Sequence, residues 1–246
     1  MYRFFVNADQ IQEGSIRILG DDVNHIGSVL RMRPGEEILI SSQDEWEYTC
    51  RIKTITGEEV TAEILDAQKP GKELPSKIVL LQCLPKGDKM ELIIQKAVEL
   101  GVTEIIPVAS KRCVVKLEGK RAASKVTRWN AIAESAAKQS KRMVIPKVGD
   151  ILSYREALAL AETKDVRLIP YERSEGMTGT RKVLESIRPG QSVAVLIGPE
   201  GGFEEKEVSL AMEKGFEPIT LGKRILRTET AGLTTLSILM YLLEQD

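Results

Sequence analysis

The 246-residue chain is 42% hydrophobic and 29% charged, proportions of an ordinary globular protein that exclude a disordered polyelectrolyte. No run approaches the roughly 20 apolar residues that a membrane helix needs, and the opening MYRFFVNADQ lacks the apolar segment of a secretory signal, so a cytoplasmic protein with no membrane partner is expected. Cys50, Cys83 and Cys113 lie far apart and share the chain with a single histidine, His25, which argues against a metal and for core thiols and a structural histidine.

The net charge of −1 conceals an uneven distribution. Residues 1–70 hold seven Lys/Arg against thirteen Asp/Glu, whereas 111–147 hold eleven against two, Glu118 and Glu134, a local +9. A one-signed block of this kind suits a phosphate backbone, because each neutralised phosphate releases counterions; a solvated helix face is the plainer alternative.

In chain order, period-two alternation and turn residues predict short strands over 3–6, 15–19, 37–40, 47–55 and 59–65, interrupted by a helix over 22–30. So many short strands suggest a small β-barrel over 1–70. Two prolines and a glycine near 71–75 mark a linker, and 76–246 forms the second domain. There strands alternate with amphipathic helices. Strands are expected at 77–84, 104–108, 143–145, 166–169, 193–197 and 218–221. The first helix has Asp88 as N-cap with Glu91 completing a capping box, an apolar face through Met90, Ile93, Ile94, Ala97 and Val98, and a stop at Gly101. A second, through Trp129, Ile132, Ala133, Ala136 and Ala137, carries part of the basic block; others are expected near 153–162, 178–187, 204–214 and 229–244. Such alternation means a mostly parallel sheet with helices on both faces.

Ligands of open α/β sheets bind beyond the carboxyl ends of the strands. Two loops there are unusual. Ile197-Gly-Pro-Glu-Gly-Gly-Phe203 clears side chains from a backbone that leads into a helix N-terminus, although it would also make a tight turn. Its G-x-x-G-G spacing is not a dinucleotide fingerprint, and Gly222-Lys223 is followed by Arg224, so no Walker A sequence exists. Leu221 to Gly232 joins the last strand to the last helix; Ile225 and Leu226 are expected to floor a pocket, Thr228 or Thr230 to cap the helix, and Arg227 with Glu229 to form either a site pair or a surface ion pair.

IGPEGGF and LGKRILRTETA, together with KGDKMELIIQKAVELGV at 86–102 and AAKQSKR at 136–142, resemble the knotted SPOUT methyltransferases. Within them the chain is similar to the family that methylates N3 of a uridine in small-subunit ribosomal RNA, and HIGSVLRMRPG at 25–35 resembles that family's PUA-like N-terminal domain. The resemblance implies an α/β knotted SPOUT domain behind a PUA-like barrel, a trefoil knot near the C-terminus, a homodimer, and ribosomal RNA, within the small ribosomal subunit, as partner. It implies S-adenosylmethionine held by Pro170, Tyr171 and Glu172, by Ile197, Gly198, Pro199, Glu200, Gly201 and Gly202, and by Leu221, Gly222, Ile225, Leu226, Arg227, Thr228 and Thr230. RNA would meet Arg3, Arg31, Arg33, Lys86, Lys89, Arg112, Gln139 and Arg142. Uridine N3 carries a proton that must leave, so a carboxylate base and a cation for the developing anion are expected: Glu229 with Arg227, and Arg142 as the second candidate for the cation. Competing readings are a non-catalytic RNA-binding protein, a methyltransferase acting on another RNA nucleotide, and a dinucleotide-dependent enzyme, which the glycine spacing disfavours.

Overall fold

The structure, a computed structural model, describes residues 1–171 and 176–244. The chain forms two compact units, Met1–Glu73 with Lys141–Ile145 and Leu74–Ser140 with Pro146–Asp246.

In the first unit six strands form one sheet: β1 (Arg3–Phe5), β2 (Ile11–Gln12), β3 (Ser15–Leu19), β4 (Glu37–Ser41), β5 (Glu47–Ile55) and β6 (Glu59–Gln68), in the order β1-β4-β5-β6-β3-β2. Only β1 and β4 pair in parallel. Alternation decides the buried face: in β3, Ile16 and Ile18 point into the core while Arg17 and Leu19 face out. Register shifts at Thr49/Cys50 and Ile52/Thr54 bend the long β5–β6 pair. The expected helix is α1 (Asp21–Asn24) continued by a wider π-helical turn, His25–Val29, in which Ile26 is buried and the His25 ring meets Phe4 edge-on.

Residues 141–145 belong to this unit rather than forming the strand expected at 143–145. The run is irregular chain, its Met143 buried and Val144 and Ile145 half-buried, and side chains rather than a strand ladder satisfy the Met143 backbone. The Met143 N–H donates to Glu73 Oε1 (2.7 Å), and its carbonyl accepts from Ser41 Oγ (2.5 Å).

The second unit alternates strand and helix: β7 (Ile78–Cys83), α2 (Lys89–Glu99), β8 (Glu104–Ala109), α3 (Gly119–Ser140), β9 (Lys147–Val148), β10 (Leu152–Ser153), α4 (Tyr154–Ala161), β11 (Val166–Pro170), α5 (Gly176–Ser186), β12 (Val193–Ile197), α6 (Glu205–Glu213), β13 (Glu217–Ile219) and α7 (Thr228–Leu243). The sheet runs β10-β8-β7-β12-β11-β13, with β9 also beside β8, and every pairing is parallel. The central strands β7 and β12 are buried at every position, as a sheet covered on both faces requires. The expected capping box of α2 does not form: Asp88 is the N-cap without a side-chain bond, and Glu91 turns instead to Arg128 of α3 at 2.8 Å. Because the strands are parallel, the loops after β11, β12 and β13 leave the same edge of the sheet.

Candidate active site

Pro170 and Tyr171 at the end of β11 and the loops after β12 and β13 line a cavity of about 860 Å³. Of the described residues expected to hold a cofactor, all but Thr230 line it; Glu172 lies outside the described residues.

The loop after β12 is held from below and from the side. Phe203 is buried against Tyr154, whose hydroxyl donates to the Glu207 carbonyl at 2.7 Å. A Cβ on Gly198 would come within 3.1 Å of that Phe203 ring, so the close approach needs glycine. Gly202 has φ +65°, a left-handed conformation costly for other residues. The Gly201 carbonyl accepts from Arg112 Nη1 at 2.9 Å, which ties the 110–118 loop to this one.

Opposite lies the loop after β13. Thr220 is pinned by its N–H to Thr180 Oγ1 (2.8 Å). Ile225 does not form a buried floor: it lines the cavity yet is 87% exposed, an apolar side chain that a ligand would cover. Neither threonine caps α7. The N-cap position is Arg227 without a side-chain bond, Thr230 is exposed, and the Thr228 hydroxyl donates to the Gly198 carbonyl at 2.6 Å while accepting from Gln82 Nε2 at 3.0 Å.

Charge gathers at the rim. Glu229, which does not itself line the cavity, pairs with Lys89 (3.4 Å), not with Arg227, and Lys89 Nζ, on the lining, also reaches Glu200 at 2.9 Å. The Lys86 N–H donates to the same Glu200 oxygen at 3.0 Å. Burial opposes charge on Glu200, but the Lys89 and Lys86 hydrogen bonds outweigh it and hold its carboxyl below the usual value. The hydrogen bond to Glu200, with the charges of Glu200 and Glu229, raises Lys89 above the ordinary lysine value. Arg227 is exposed and lines the cavity.

Two expected RNA contacts are buried ion pairs instead. Arg3 is 6% exposed and bonded to Glu47, which also pairs with Lys72 at 3.1 Å. Arg142 is 5% exposed and grips Glu73 through Nε (2.9 Å to each carboxylate oxygen) and Nη2 (2.5 Å), which removes it from both the RNA surface and the catalytic role considered for it. Desolvated guanidinium groups need such partners, which here take Nη2 of Arg3 and Nε and Nη2 of Arg142. Arg31, Arg33, Lys86, Arg112 and Gln139 are exposed.

Sequence reasoning passed over Gln82, the one amide in the apolar strand Ile78–Cys83, although a polar residue in a strand buried on both faces was a usable signal. It also treated the cysteines alike. Cys50 and Cys83 are buried, but Cys113 is half-buried near the cavity loops, where the Cys83 thiol hydrogen bond, against burial and with help from Ser110, lowers it to about 6.

A family model described as RNA methyltransferase domain matches residues 72–240, and one described as RNA methyltransferase PUA domain matches residues 18–65. The chain is 38% identical over 247 residues to ribosomal RNA small subunit methyltransferase E of Bacillus subtilis (strain 168), covering 98% of this chain and 96% of that protein. It is 38% identical over 237 residues to the protein of the same name from Mesomycoplasma hyopneumoniae (strain 232), covering 96% and 98%. The solved structure of ribosomal RNA small subunit methyltransferase E from Neisseria gonorrhoeae, bound to S-adenosyl methionine, superposes with a TM-score of 0.86 at 38% identity over 98% of each chain. With a small N-terminal PUA domain ahead of a parallel α/β domain, and with identity to these relatives sustained along its length, the chain belongs to the RNA methyltransferase family.

Proposed function

We propose that this protein transfers a methyl group from S-adenosylmethionine to N3 of a uridine in small-subunit ribosomal RNA. The observation that carries the reading is the cavity at the carboxyl edge of the parallel sheet. Its volume of about 860 Å³ suits a small organic cofactor, backbone at Gly198, Gly201 and Gly202 is part of its lining, and exposed apolar Ile225 stands on it too. The relatives' names support the RNA class, and the cofactor in the Neisseria structure supports the methyl donor.

When bound, the cofactor supplies a methyl group made electrophilic by its sulfonium. Pro170 and Tyr171 and the loops after β12 and β13 would hold and orient it, with Leu221, Ile225 and Leu226 offering an apolar surface to its adenine. Glu229, paired with the cavity-lining Lys89, accepts the N3 proton of the uridine. Arg227, the exposed residue at the start of α7, stabilises the anion left on the uracil carbonyls. Exposed Arg31 and Arg33 of the first unit and Lys86, Arg112 and Gln139 of the second contact RNA. The reading takes 1–70 as the RNA-binding domain, 71–75 as linker and 76–246 as the catalytic domain. It includes a trefoil knot through the loops that bound the cavity, a homodimer, the small ribosomal subunit as the setting of the substrate, and a cytoplasmic location. Among the described residues no helix is long and apolar enough to cross a membrane.

Ligand-dependent melting tests it. At a hundredfold excess over its dissociation constant, S-adenosylmethionine should stabilise the fold by roughly 2.7 kcal/mol, whereas NAD should do nothing. No shift with the methyl donor, in protein that still binds RNA, would point to a non-catalytic RNA-binding protein.

A further inference from the structure

Gln82 is fully buried at the centre of the sheet, on the strand next to β12. Its Nε2 donates to its neighbour's carbonyl, Cys83 O (2.9 Å), and to Thr228 Oγ1 (3.0 Å). A threonine hydroxyl has one proton, and here it goes to the Gly198 carbonyl at 2.6 Å. The three groups therefore form a directed chain, amide to hydroxyl to carbonyl, that joins the glycine loop to the first residue of α7. Gly198 and Thr228 both line the cavity, and Gln82 lies behind them.

This arrangement is a poor way to stabilise a core. Gln82 Oε1 is buried and makes no hydrogen bond, facing the Cα of Gly232, where an added Cβ would sit 3.4 Å away. A leucine or methionine would fill the same volume without a polar atom to desolvate. The Thr228 hydroxyl, at the first position of α7, is drawn to Gly198. An opportunity for stability is given up at Gln82, and what is gained is a fixed separation between the loops that face the ligand.

We infer that Gln82 is a positioning residue for the cofactor site: acting through Thr228, it holds the Gly198 carbonyl and the start of α7 in the geometry that receives the methyl donor. The inference rests on the function proposed above. Gln82 is fully buried and does not line the cavity. Its contribution is preorganisation, which appears in affinity rather than in melting temperature.

The test is calorimetric titration of S-adenosylmethionine into wild type, Gln82→Leu, Thr228→Val, Thr228→Ser and the Gln82→Leu/Thr228→Val double variant, each with its melting temperature measured without ligand. Gln82→Leu and Thr228→Val should each weaken binding by about tenfold, equivalent to about 1.4 kcal/mol. The double variant should be no weaker than the worse single one, because both cut the same chain. Gln82→Leu should melt no lower than wild type, and Thr228→Ser, which keeps the hydroxyl, should recover most of the affinity missing in Thr228→Val. Unchanged affinity in a folded Gln82→Leu variant overturns the inference, as does a fall in melting temperature with affinity intact, or additive losses in the double variant. If Gln82→Leu does not fold, the comparison of Thr228→Val with Thr228→Ser decides, and equal affinities overturn it. A wild-type protein that binds no S-adenosylmethionine refutes the proposed function itself.

Discussion

The Glu229 carboxylate, proposed to accept the uridine N3 proton, has its Oε2 buried 3.4 Å from the Lys89 ammonium. Removing that acceptor should slow chemistry without loosening binding. Glu229→Gln and Arg227→Ala are each expected to lower single-turnover methyl transfer by about 10² or more, with cofactor and RNA affinities nearly intact. For Glu229→Gln the rate should climb more steeply with pH than in wild type, since hydroxide replaces the base. Rates within a few-fold of wild type for both would leave them as scaffold, with positioning as the main source of catalysis. A second residue-scale expectation concerns Cys113, lowered to about 6 by the neighbouring Cys83 thiol. Because the thiolate is the reactive form, alkylation of Cys113 should rise between pH 5 and 7 and then level off. An ordinary thiol, titrating at about 8.5, would keep accelerating through that point. Cys50, pushed up to about 12 by burial, should remain unmodified in the folded protein. A Cys113 rate still climbing above pH 8 would contradict the lowered value.

At the scale of elements, the alternation of strands and helices in the second unit was legible because hydrophobic period and glycine punctuation are local properties. The segment 143–145 was misread for the complementary reason. A short apolar run looks the same whether it joins a ladder or packs as irregular chain, and here the deciding partners, Ser41 and Glu73, lie far away in sequence. Arg3 and Arg142 read as exposed cations for the same reason: nothing nearby announces Glu47 or Glu73. The glycine loop was found by its sequence, but the reasons for its glycines are partly internal, the Phe203 ring behind Gly198 and the Arg112 side chain 3.4 Å from a Cβ on Gly201. RNA affinity should follow exposure rather than the count of basic residues. Arg31→Ala with Arg33→Ala should flatten log affinity against log salt by about 0.7 to 0.9 for each phosphate that is no longer neutralised. Arg142→Ala should leave that slope unchanged and instead destabilise the first unit, since Glu73 would be left without its buried partner. A slope altered by Arg142→Ala and unmoved by the first pair would reverse this assignment.

At the scale of the whole molecule, α7 joins the cavity to the surface. Leu236, Leu239 and Leu243 are fully buried, while Tyr241 is 82% exposed and Leu242 lies beside it. An apolar helix with an uncovered side supports the homodimer in the proposed function. Light scattering should give twice the chain mass at micromolar concentration, and Tyr241→Glu should shift it towards the monomer. A monomer mass for the wild type would remove the dimer. Nucleoside mass spectrometry reads the proposed methyl transfer at its product. Small-subunit ribosomal RNA lacking the modification is incubated with the purified protein and isotopically labelled S-adenosylmethionine, then digested to nucleosides. The expected result is label in 3-methyluridine alone, from a single position, and its loss with Glu229→Gln on the same timescale. Label in a different nucleoside, on a ribose, or in no RNA product from protein that binds the cofactor would contradict it.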